Sequence, residues 1–388
     1  MTDFAQRLLG RPALTGRVVG LDMARGLAIL GMFTAHMWVS VQGPVSSVMA
    51  LSHGRSAPLF ALLAGVSLGI MQDRLARRFA GSPALSRRYY SEKILVRAAV
   101  LILIAALLSL FNTRILLILD NYGVWMVCML VLSGLSVPGL LWVIGLLLVV
   151  GIPLWHYLNL LFLPSEIGVV LGLNDYQMPT FLIYVLTGLV LWRLSWAGAT
   201  PRARRLQKYG AGLGLGVAFV IFGVGTAVDS LRLGRVSGVI LNQDTLSIAN
   251  PTPAQFWYQT LVYIAPHTDS VAETVANTAW CVGLTSLTLL AGPTFNRFLS
   301  PVAALGSMAL TTYTLHVIWH AITFRLFGYR GLIPSLIIMI AVFLLAASLW
   351  RLRFGKGPLE AFLARLSDPP AVNHTAENSD GSASTNLA

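Results

Sequence analysis

Residues 331–350 read GLIPSLIIMIAVFLLAASLW and contain no charged side chain. A helix of about 20 such residues is long enough to cross the apolar core of a bilayer. Blocks of similar length recur along the chain, and their apolar residues show little two-residue alternation. A backbone in lipid must close its own hydrogen bonds as helix, and the missing alternation argues against a barrel. The sequence therefore predicts an all-α, polytopic integral membrane helix bundle.

Composition supports this class and excludes others. Of the 388 residues, 56% are hydrophobic and 11% are charged, whereas soluble domains carry about 25% charged residues. The formal net charge of +12 would point to nucleic acid in a soluble protein. In a membrane protein the positions of the cations matter more, because basic residues collect in cytoplasmic loops. We therefore interpret the basic surplus as topology and expect no nucleic-acid partner.

We predict about ten spans and cytoplasmic location of both termini. The predicted spans are 18–39, 55–72, 94–112, 121–136, 139–153, 178–195, 209–228, 271–291, 302–324 and 331–350. With ten spans, the basic clusters around Arg17, Arg77, Arg204 and Arg353 all fall on one side, which the positive-inside rule assigns to the cytoplasm of a cell (inner or plasma) membrane. Longer outer loops are expected over 151–178 and 229–270, which contain Pro, Asn and Asp.

The chain divides into a short cytoplasmic segment, 1–17, a transmembrane domain, 18–366, and a disordered tail, 367–388. The tail is rich in Ser, Asn, Asp, Thr and Ala, a composition that cannot bury a core. Within the transmembrane domain, Gly26, Gly65 and Gly69 are expected where helices pack closely.

The first span carries three ionisable residues, Asp22, Arg25 and His36. Each is costly inside a membrane and therefore asks for a reason. Asp22 and Arg25 are three residues apart and can neutralise each other, which is a purely structural interpretation. His36 lies eleven residues beyond Arg25, close to three helical turns, so the two share a face about 16 Å apart along the axis. Arg25 could hold the phosphates of a long thioester cofactor whose acyl group reaches His36, a candidate general base.

Six of the seven histidines are expected toward the outer face, namely His36, His53, His156, His267, His316 and His320. This distribution suggests that any proton chemistry occurs there. His316 and His320 are one turn apart, but no third ligand is suitably spaced in that helix, and the two cysteines are too few for a cluster. We expect no metal.

The residues around these positions resemble known acyltransferases. Arg25, ten intervening residues and His36 match the Arg-X10-His pattern of membrane acyltransferase family 3, whose members O-acetylate envelope glycans. The wider frame resembles the catalytic domain of heparan-α-glucosaminide N-acetyltransferase and its bacterial relatives, many of which are known only as domains of unknown function. The segments that carry it are LDMARGLAILGM, HGRSAPLFALLAGVSLGIM, LGSMALTTYTLH and RLRFGKGPLE.

This resemblance implies that 18–366 transfers an acyl group, most plausibly acetyl, from cytoplasmic acetyl-CoA to a sugar or lipid-linked glycan outside. Arg25 would bind the donor, and either His36 or His53 would be the base. His36 stands where acyltransferase family 3 has its histidine, and His53 stands roughly where the heparan enzyme has its own. The heparan-type relatives tend to have Asn at the position of His36, so both candidates stay open.

Three further residues are candidates for binding the acceptor. Arg55, at the mouth of the second span, could orient an anionic or sugar group or could anchor the interface. Asp120 could fix the tautomer of a histidine or face solvent, and His267 could line the site or belong to a loop. Two other functions remain compatible with the sequence: a proton-coupled transporter of a small molecule or lipid, and a non-catalytic relative that binds a partner.

Overall fold

The computed structural model describes residues 17–37, 52–111, 115–162, 176–233, 252–328 and 332–368. Within these ranges every regular element is helical and no strand occurs, which confirms the predicted all-α class. Residues 1–16 and 369–388, which include most of the predicted terminal segments, lie outside the described part.

Fifteen α-helices and one π-helical turn make up the described part of the chain. In chain order they are α1 Val19–Met37, α2 Ser56–Arg78, α3 Pro83–Ser109, α4 Leu119–Leu132, α5 Val137–Leu146, the π-helical turn Leu147–Gly151, α6 Ile152–Phe162, α7 Met178–Arg193, α8 Pro201–Leu233, α9 Pro253–Leu261, α10 Val271–Leu290, α11 Pro293–Phe298, α12 Ser300–Ser307, α13 Ala309–Phe327, α14 Leu332–Phe354 and α15 Pro358–Ser367.

Each predicted span coincides with one or more of these helices. The structure differs from the prediction at three places: in one span, in the two outer loops and at the start of the tail. The ninth span is not one rod, because α12 and α13 meet at Met308 with a bend of 88°. The predicted outer loops contain helical segments, since α6 covers much of the first loop and α9 lies in the second. Ser367 and Asp368 belong to the folded part rather than to the tail, since Ser367 ends α15 and Asp368 pairs with Lys93.

The predicted close-packing glycines lie at helix crossings. A side chain on Gly65 would overlap the backbone carbonyl of Val185 in α7, and Gly188 of α7 meets α2 in the same way. Gly26 meets the backbone carbonyl of Val302, so α1 and α12 approach as closely as α2 and α7 do. Because a Cβ would fill the contact, these crossings depend on glycine, as is usual for helices that pack in lipid.

The surface of the bundle is strongly apolar. Large side chains on the outer helices are more than two-thirds exposed, among them Trp142 at 81%, Phe219 at 79% and Val131 at 77%. A soluble protein rarely leaves so much apolar surface in water, whereas lipid solvates it without cost. In the described part of the chain, four helices are long and apolar enough to span a membrane, or five if the bent pair α12–α13 counts as one span. The predicted number of about ten spans, and the sides of the termini, stay predictions.

The bundle has two chemically distinct ends. One end, here called the basic end, collects Arg17, Arg74, Lys93 and Arg97 around one cavity together with Glu360 of α15. The other, the histidine end, collects His36, His53, His267 and His320 around a second cavity. Residues distant in sequence therefore meet because successive long helices run between these two ends.

Candidate functional site

The basic end contains a cavity of about 640 Å³. Seven cationic side chains and three carboxylates line it: Arg17, Arg25, Arg74, Arg77, Arg78, Lys93 and Arg97, with Asp22, Glu360 and Asp368. These come from α1, α2, α3, α15 and the chain flanking them. The excess of cations makes the cavity suited to an anionic ligand, because the low-dielectric walls strengthen the field of the charges.

Asp22 and Arg25 form the ion pair that their spacing predicts. Arg25 Nη1 donates to Asp22 Oδ1 at 2.8 Å, and Arg25 Nη2 donates to Ser67 Oγ of α2 at 2.7 Å. Arg17 binds the same carboxylate at both oxygens, with distances of 2.8 and 2.7 Å. The side chain of Asp22 is 2% exposed and that of Arg25 is 17% exposed. Because Arg17 already neutralises Asp22, the second cation leaves surplus positive charge at the wall of the cavity.

The other two carboxylates of this cavity are also engaged. Glu360 accepts hydrogen bonds from the backbone N–H groups of Leu310 and Thr311, at 2.7 and 3.1 Å, and from the Thr311 hydroxyl at 2.6 Å. It thereby caps α13 where that helix restarts after the 88° bend, a position at which a negative charge is stabilising. Asp368 pairs with Lys93. All three acids thus have internal partners.

The histidine end contains a smaller cavity of about 310 Å³. His36, His53, His267 and His320 line it together with the aromatic residues Tyr176, Tyr313 and Phe324, the hydroxyls Ser52 and Ser56, and small or aliphatic side chains. None of the described residues that line it is an Asp, Glu, Lys or Arg. The cavity is therefore neutral where its histidines are neutral, and its ring faces and hydroxyls are chemically suited to a polar but uncharged ligand.

His36 is held by a second histidine behind it. Its Nδ1 lies 2.9 Å from Nε2 of His316, within hydrogen-bond distance. His316 is 1% exposed and is packed by Phe33 and Tyr313, with ring centroids 5.1 and 5.0 Å away. When His36 donates from Nδ1 to this nitrogen, its own Nε2 carries no proton and can accept one. The pair can therefore act as a base and its orienting partner.

His53 and His267 form a second pair at the same cavity, with ring centroids 5.3 Å apart and an interplanar angle of 70°. His53 precedes α2, and His267 lies in the loop between α9 and α10. Burial lowers the pKa of His267 to about 4, with a further lowering from neighbouring His53. Burial, and then the charge of Arg55, lowers the pKa of His53 as well. Both rings are consequently neutral near pH 7 and can accept a proton.

A carboxylate on α10 shapes the loop that carries His267. His267 adopts a left-handed backbone conformation with φ of 67°, which is uncommon for a residue with a side chain. Glu273 stabilises it by accepting hydrogen bonds from the backbone N–H groups of His267 and Asp269, at 3.2 and 2.8 Å, and from the Thr268 hydroxyl at 2.7 Å. One turn later, Asn277 donates to the Gly54 carbonyl at 3.3 Å. One face of α10 therefore positions both the loop that carries His267 and the segment that carries His53 and Gly54.

Among the described residues, Tyr313 alone lines both cavities. It lies on α13, three residues before His316, and is 1% exposed. Its hydroxyl accepts a hydrogen bond from the Ile118 backbone N–H at 3.2 Å. Tyr313 therefore contributes to the wall of each cavity.

The structure brings four of the six predicted site residues to these cavities and leaves two elsewhere. Arg25 lines the basic cavity, and His36, His53 and His267 line the histidine cavity. Arg55 stacks on the Phe222 ring, 4.2 Å from its centroid, and is not part of either wall. Asp120 is exposed in the first turn of α4, where it accepts a hydrogen bond from Asn121. Among the described residues, no group of three or more His, Cys, Asp or Glu side chains could hold a metal ion.

Several residues of the site were not among the predicted site residues, although the sequence placed His316 toward the outer face. Tyr313 and His316 are three residues apart on one face of α13, which was a usable signal. No signal in the sequence identified Lys93, Arg97 or Glu360 as site residues, because they reach the cavity from helices that are far apart in the chain.

These features define the class of the protein: a helical membrane protein with a cavity at each end of the bundle. Residues 231–368 match the family described as protein of unknown function DUF418. The matched part contains Tyr313, His316 and Glu360 but not Arg25 or His36. No curated protein and no solved structure matches the chain. The resemblance to the heparan acetyltransferases therefore stays a prediction.

Proposed function

We propose that this protein is a membrane acyltransferase that passes an acetyl group from acetyl-CoA in the basic cavity to an acceptor in the histidine cavity. The observation that carries the proposal is the shared wall at Tyr313, because two cavities of unlike chemistry meet there. An anionic donor and a neutral acceptor can thus approach each other without either crossing the bundle. The acceptor is a sugar or a lipid-linked glycan with a free hydroxyl or amine.

The basic cavity fits the donor. Coenzyme A carries several phosphate charges on one end and a long neutral arm on the other. Arg74, Arg77 and Arg97 line the cavity, and none of them pairs with a carboxylate of the described part of the chain. Guanidinium groups bind phosphate through parallel hydrogen bonds, so these residues would hold the phosphates. Arg25, deeper along α1, would hold an anionic or carbonyl group nearer the shared wall.

The histidine cavity fits a neutral acceptor. Its described lining residues include no acid and no base other than histidine, so a charged ligand would find no counter-ion among them. Sugar rings pack against aromatic faces, which Tyr176 and Phe324 provide, and their hydroxyls can bond to Ser52 and Ser56. A volume of about 310 Å³ limits the acceptor to a small moiety, such as the terminal unit of a longer glycan.

His36 is the favoured base, because His316 orients it in the manner of a second residue behind a catalytic histidine. It would remove the proton from the attacking hydroxyl or amine as that group adds to the acyl carbon. His53, with His267 beside it, is the alternative base in the same cavity. The two assignments differ in which substitution abolishes transfer.

The basic end fits the cytoplasmic side of a cell membrane, where acetyl-CoA is made and where the positive-inside rule places Lys and Arg. Arg17 at the start of α1 and Asp368 after α15 both line the basic cavity, so the two ends of the described chain share that side. This supports the prediction of ten spans with both termini in the cytoplasm of an inner or plasma membrane.

A proton-coupled transporter is the second candidate, and the bend between α12 and α13 favours it. Discontinuous helices with ionisable residues near the break are a feature of secondary transporters. Here the break at Met308 lies beside the basic cavity, and α13 then carries His316 and His320 to the other end. A relative without catalysis that only binds a partner is the third possibility.

The experiment that separates these functions is a sided assay in proteoliposomes with the basic end facing out. Acetyl-CoA with a labelled acetyl group is added outside, and neutral oligosaccharides are enclosed. The expected result is covalent acetylation of the enclosed sugar, lost in His36→Gln and kept in His156→Gln, whose residue lies in neither wall.

If the label stays on CoA and purified protein does not bind acetyl-CoA, the acyltransferase proposal is wrong. Proton-driven accumulation of an unmodified solute would then establish the transporter. Loss of transfer in His53→Gln but not in His36→Gln would reassign the base without changing the function.

A further inference from the structure

Two buried phenol groups line the basic cavity, and one of them also lines the histidine cavity. Tyr313 is 1% exposed and lines both cavities, while Tyr122 of α4 is 5% exposed and lines the basic cavity. Tyr122 lies one turn along α4 from Ile118, whose backbone N–H donates to the Tyr313 hydroxyl, so the two phenol groups belong to neighbouring parts of the fold. Arg25 lines the same basic cavity. Burial of a hydroxyl is favourable only when it finds a hydrogen-bond partner.

Each of these hydroxyls has a proton to donate. Tyr313 Oη accepts from the Ile118 N–H at 3.2 Å, and no described residue accepts its own proton. Tyr122 Oη has no hydrogen-bond partner of any kind in the described part of the chain. Buried polar atoms without partners are rare in native proteins, and each calls for an explanation. The protons of the Tyr313 and Tyr122 hydroxyls thus have no acceptor among the described residues, and a ligand bound in the basic cavity would supply one.

The position of Tyr313 relative to His36 is also defined. His316 neighbours both rings, with centroid distances of 5.0 Å to Tyr313 and 5.2 Å to His36. The base and one of the phenol groups are therefore packed against the same buried ring. A reacting group bound at the shared wall has a base on its acceptor side and two O–H donors on its donor side.

We propose that Tyr313 and Tyr122 bind the carbonyl oxygen of the donor thioester and stabilise the negative charge that develops on it. This rests on the proposed acyltransferase function. The oxygen or nitrogen of the acceptor forms a bond to the carbonyl carbon while His36 takes its proton, and the carbon–sulfur bond then breaks. The proton passes from His36 to the departing sulfur, so that the products are the acetylated acceptor and the free thiol of CoA. The two O–H groups donate throughout and exchange no proton.

The chain offers a matched control. Tyr184 of α7 is also fully buried, and its hydroxyl also lacks a partner among the described residues. It lines neither cavity. Tyr122→Phe and Tyr184→Phe each remove one unbonded oxygen from the interior, so they carry similar costs to folding. Tyr313→Phe also removes the hydrogen bond from the Ile118 N–H and could destabilise the protein. In that case Tyr122→Phe, which loses no such bond, still tests the proposal.

The test is infrared difference spectroscopy of acetyl-CoA labelled with ¹³C at the carbonyl and bound to the purified protein. Hydrogen bonds lower the stretching frequency of a carbonyl, so this readout needs no acceptor and no turnover. We expect the band to move to higher frequency in Tyr122→Phe and in Tyr313→Phe, and to stay in place in Tyr184→Phe. We expect the dissociation constant for acetyl-CoA to weaken by no more than about tenfold, the range typical of one neutral hydrogen bond.

In the transfer assay, removal of one donor should lower kcat by about 10²–10³-fold, the typical effect of losing one oxyanion donor. An unchanged band in both Phe variants, or an equal shift in the Tyr184 control, would overturn the assignment of the tyrosines while leaving the acyltransferase intact. Failure of the wild-type protein to bind acetyl-CoA would instead overturn the function and this inference together.

Discussion

The substitution Arg25→Gln tests the donor site most directly. Arg25 makes one hydrogen bond to Asp22 and one to Ser67, at 2.8 and 2.7 Å, and it lines the basic cavity. Removing its charge does not strand Asp22, because Arg17 binds both oxygens of that carboxylate. The variant should therefore fold, and its effect on ligand binding can be measured separately from its effect on stability.

The size of the effect follows from the type of bond that is lost. A hydrogen bond to a charged group contributes about 1.5–3 kcal/mol, which corresponds to an acetyl-CoA dissociation constant about 10- to 160-fold weaker. At a concentration 100 times the wild-type dissociation constant, acetyl-CoA should stabilise the wild-type protein by about 2.7 kcal/mol. The same concentration should stabilise Arg25→Gln by only about 0.3–1.3 kcal/mol.

Thermal unfolding of the detergent-purified protein with and without acetyl-CoA measures this difference. Arg87→Gln is the matched control, since Arg87 is an exposed residue of α3 that lies in neither wall. If Arg25→Gln keeps the full stabilisation, Arg25 does not touch the donor. Equal losses in both variants would show only a general effect of net charge.

Three further predictions concern the scaffold of the site. Since burial lowers the pKa of His267 from 6.5 to about 4, the unfolded chain binds more protons between these values, and wild-type stability should fall by about 2 kcal/mol between pH 7 and 5. His267→Asn, which tolerates the left-handed backbone, should reduce that fall in a pH series of thermal unfolding, and an identical fall would contradict the assignment. Glu360→Gln weakens the cap of α13 and should destabilise the protein by about 1–2 kcal/mol in the same assay. The control is Glu92→Gln, which removes a partner from an exposed ion pair and should change stability by less than about 0.5 kcal/mol. Gly65→Ala places a methyl group against a backbone carbonyl of α7 and should lower the free energy of unfolding by at least about 2 kcal/mol. Size-exclusion chromatography should then show loss of the monodisperse peak. The control Gly145→Ala, which has open space around it, should leave that peak unchanged.

The local features of the chain were predictable because they depend on neighbours in sequence. Uninterrupted apolar blocks require helices in lipid, and each predicted span coincides with a helix. The spacing of Asp22 and Arg25 predicted their ion pair, and Gly26 and Gly65 predicted close crossings. The break at Met308 was not predicted, because the blocks on either side are equally apolar and the capping carboxylate, Glu360, lies about 50 residues further on.

The site itself depends on which helices become neighbours. The hydropathy pattern places His36 and His316 toward the same end of the bundle. It does not predict that Nδ1 of His36 lies 2.9 Å from Nε2 of His316. The same holds for His53 beside His267, for Arg55 turned onto Phe222, and for Tyr313 as the wall that two cavities share. The periodicity of the sequence predicts which face of its own helix a residue occupies, because that face is set by the regular geometry of the helical backbone. The partner opposite that face is chosen by packing between helices, here at glycine crossings, and so only the tertiary structure shows that the basic cavity and the histidine cavity meet.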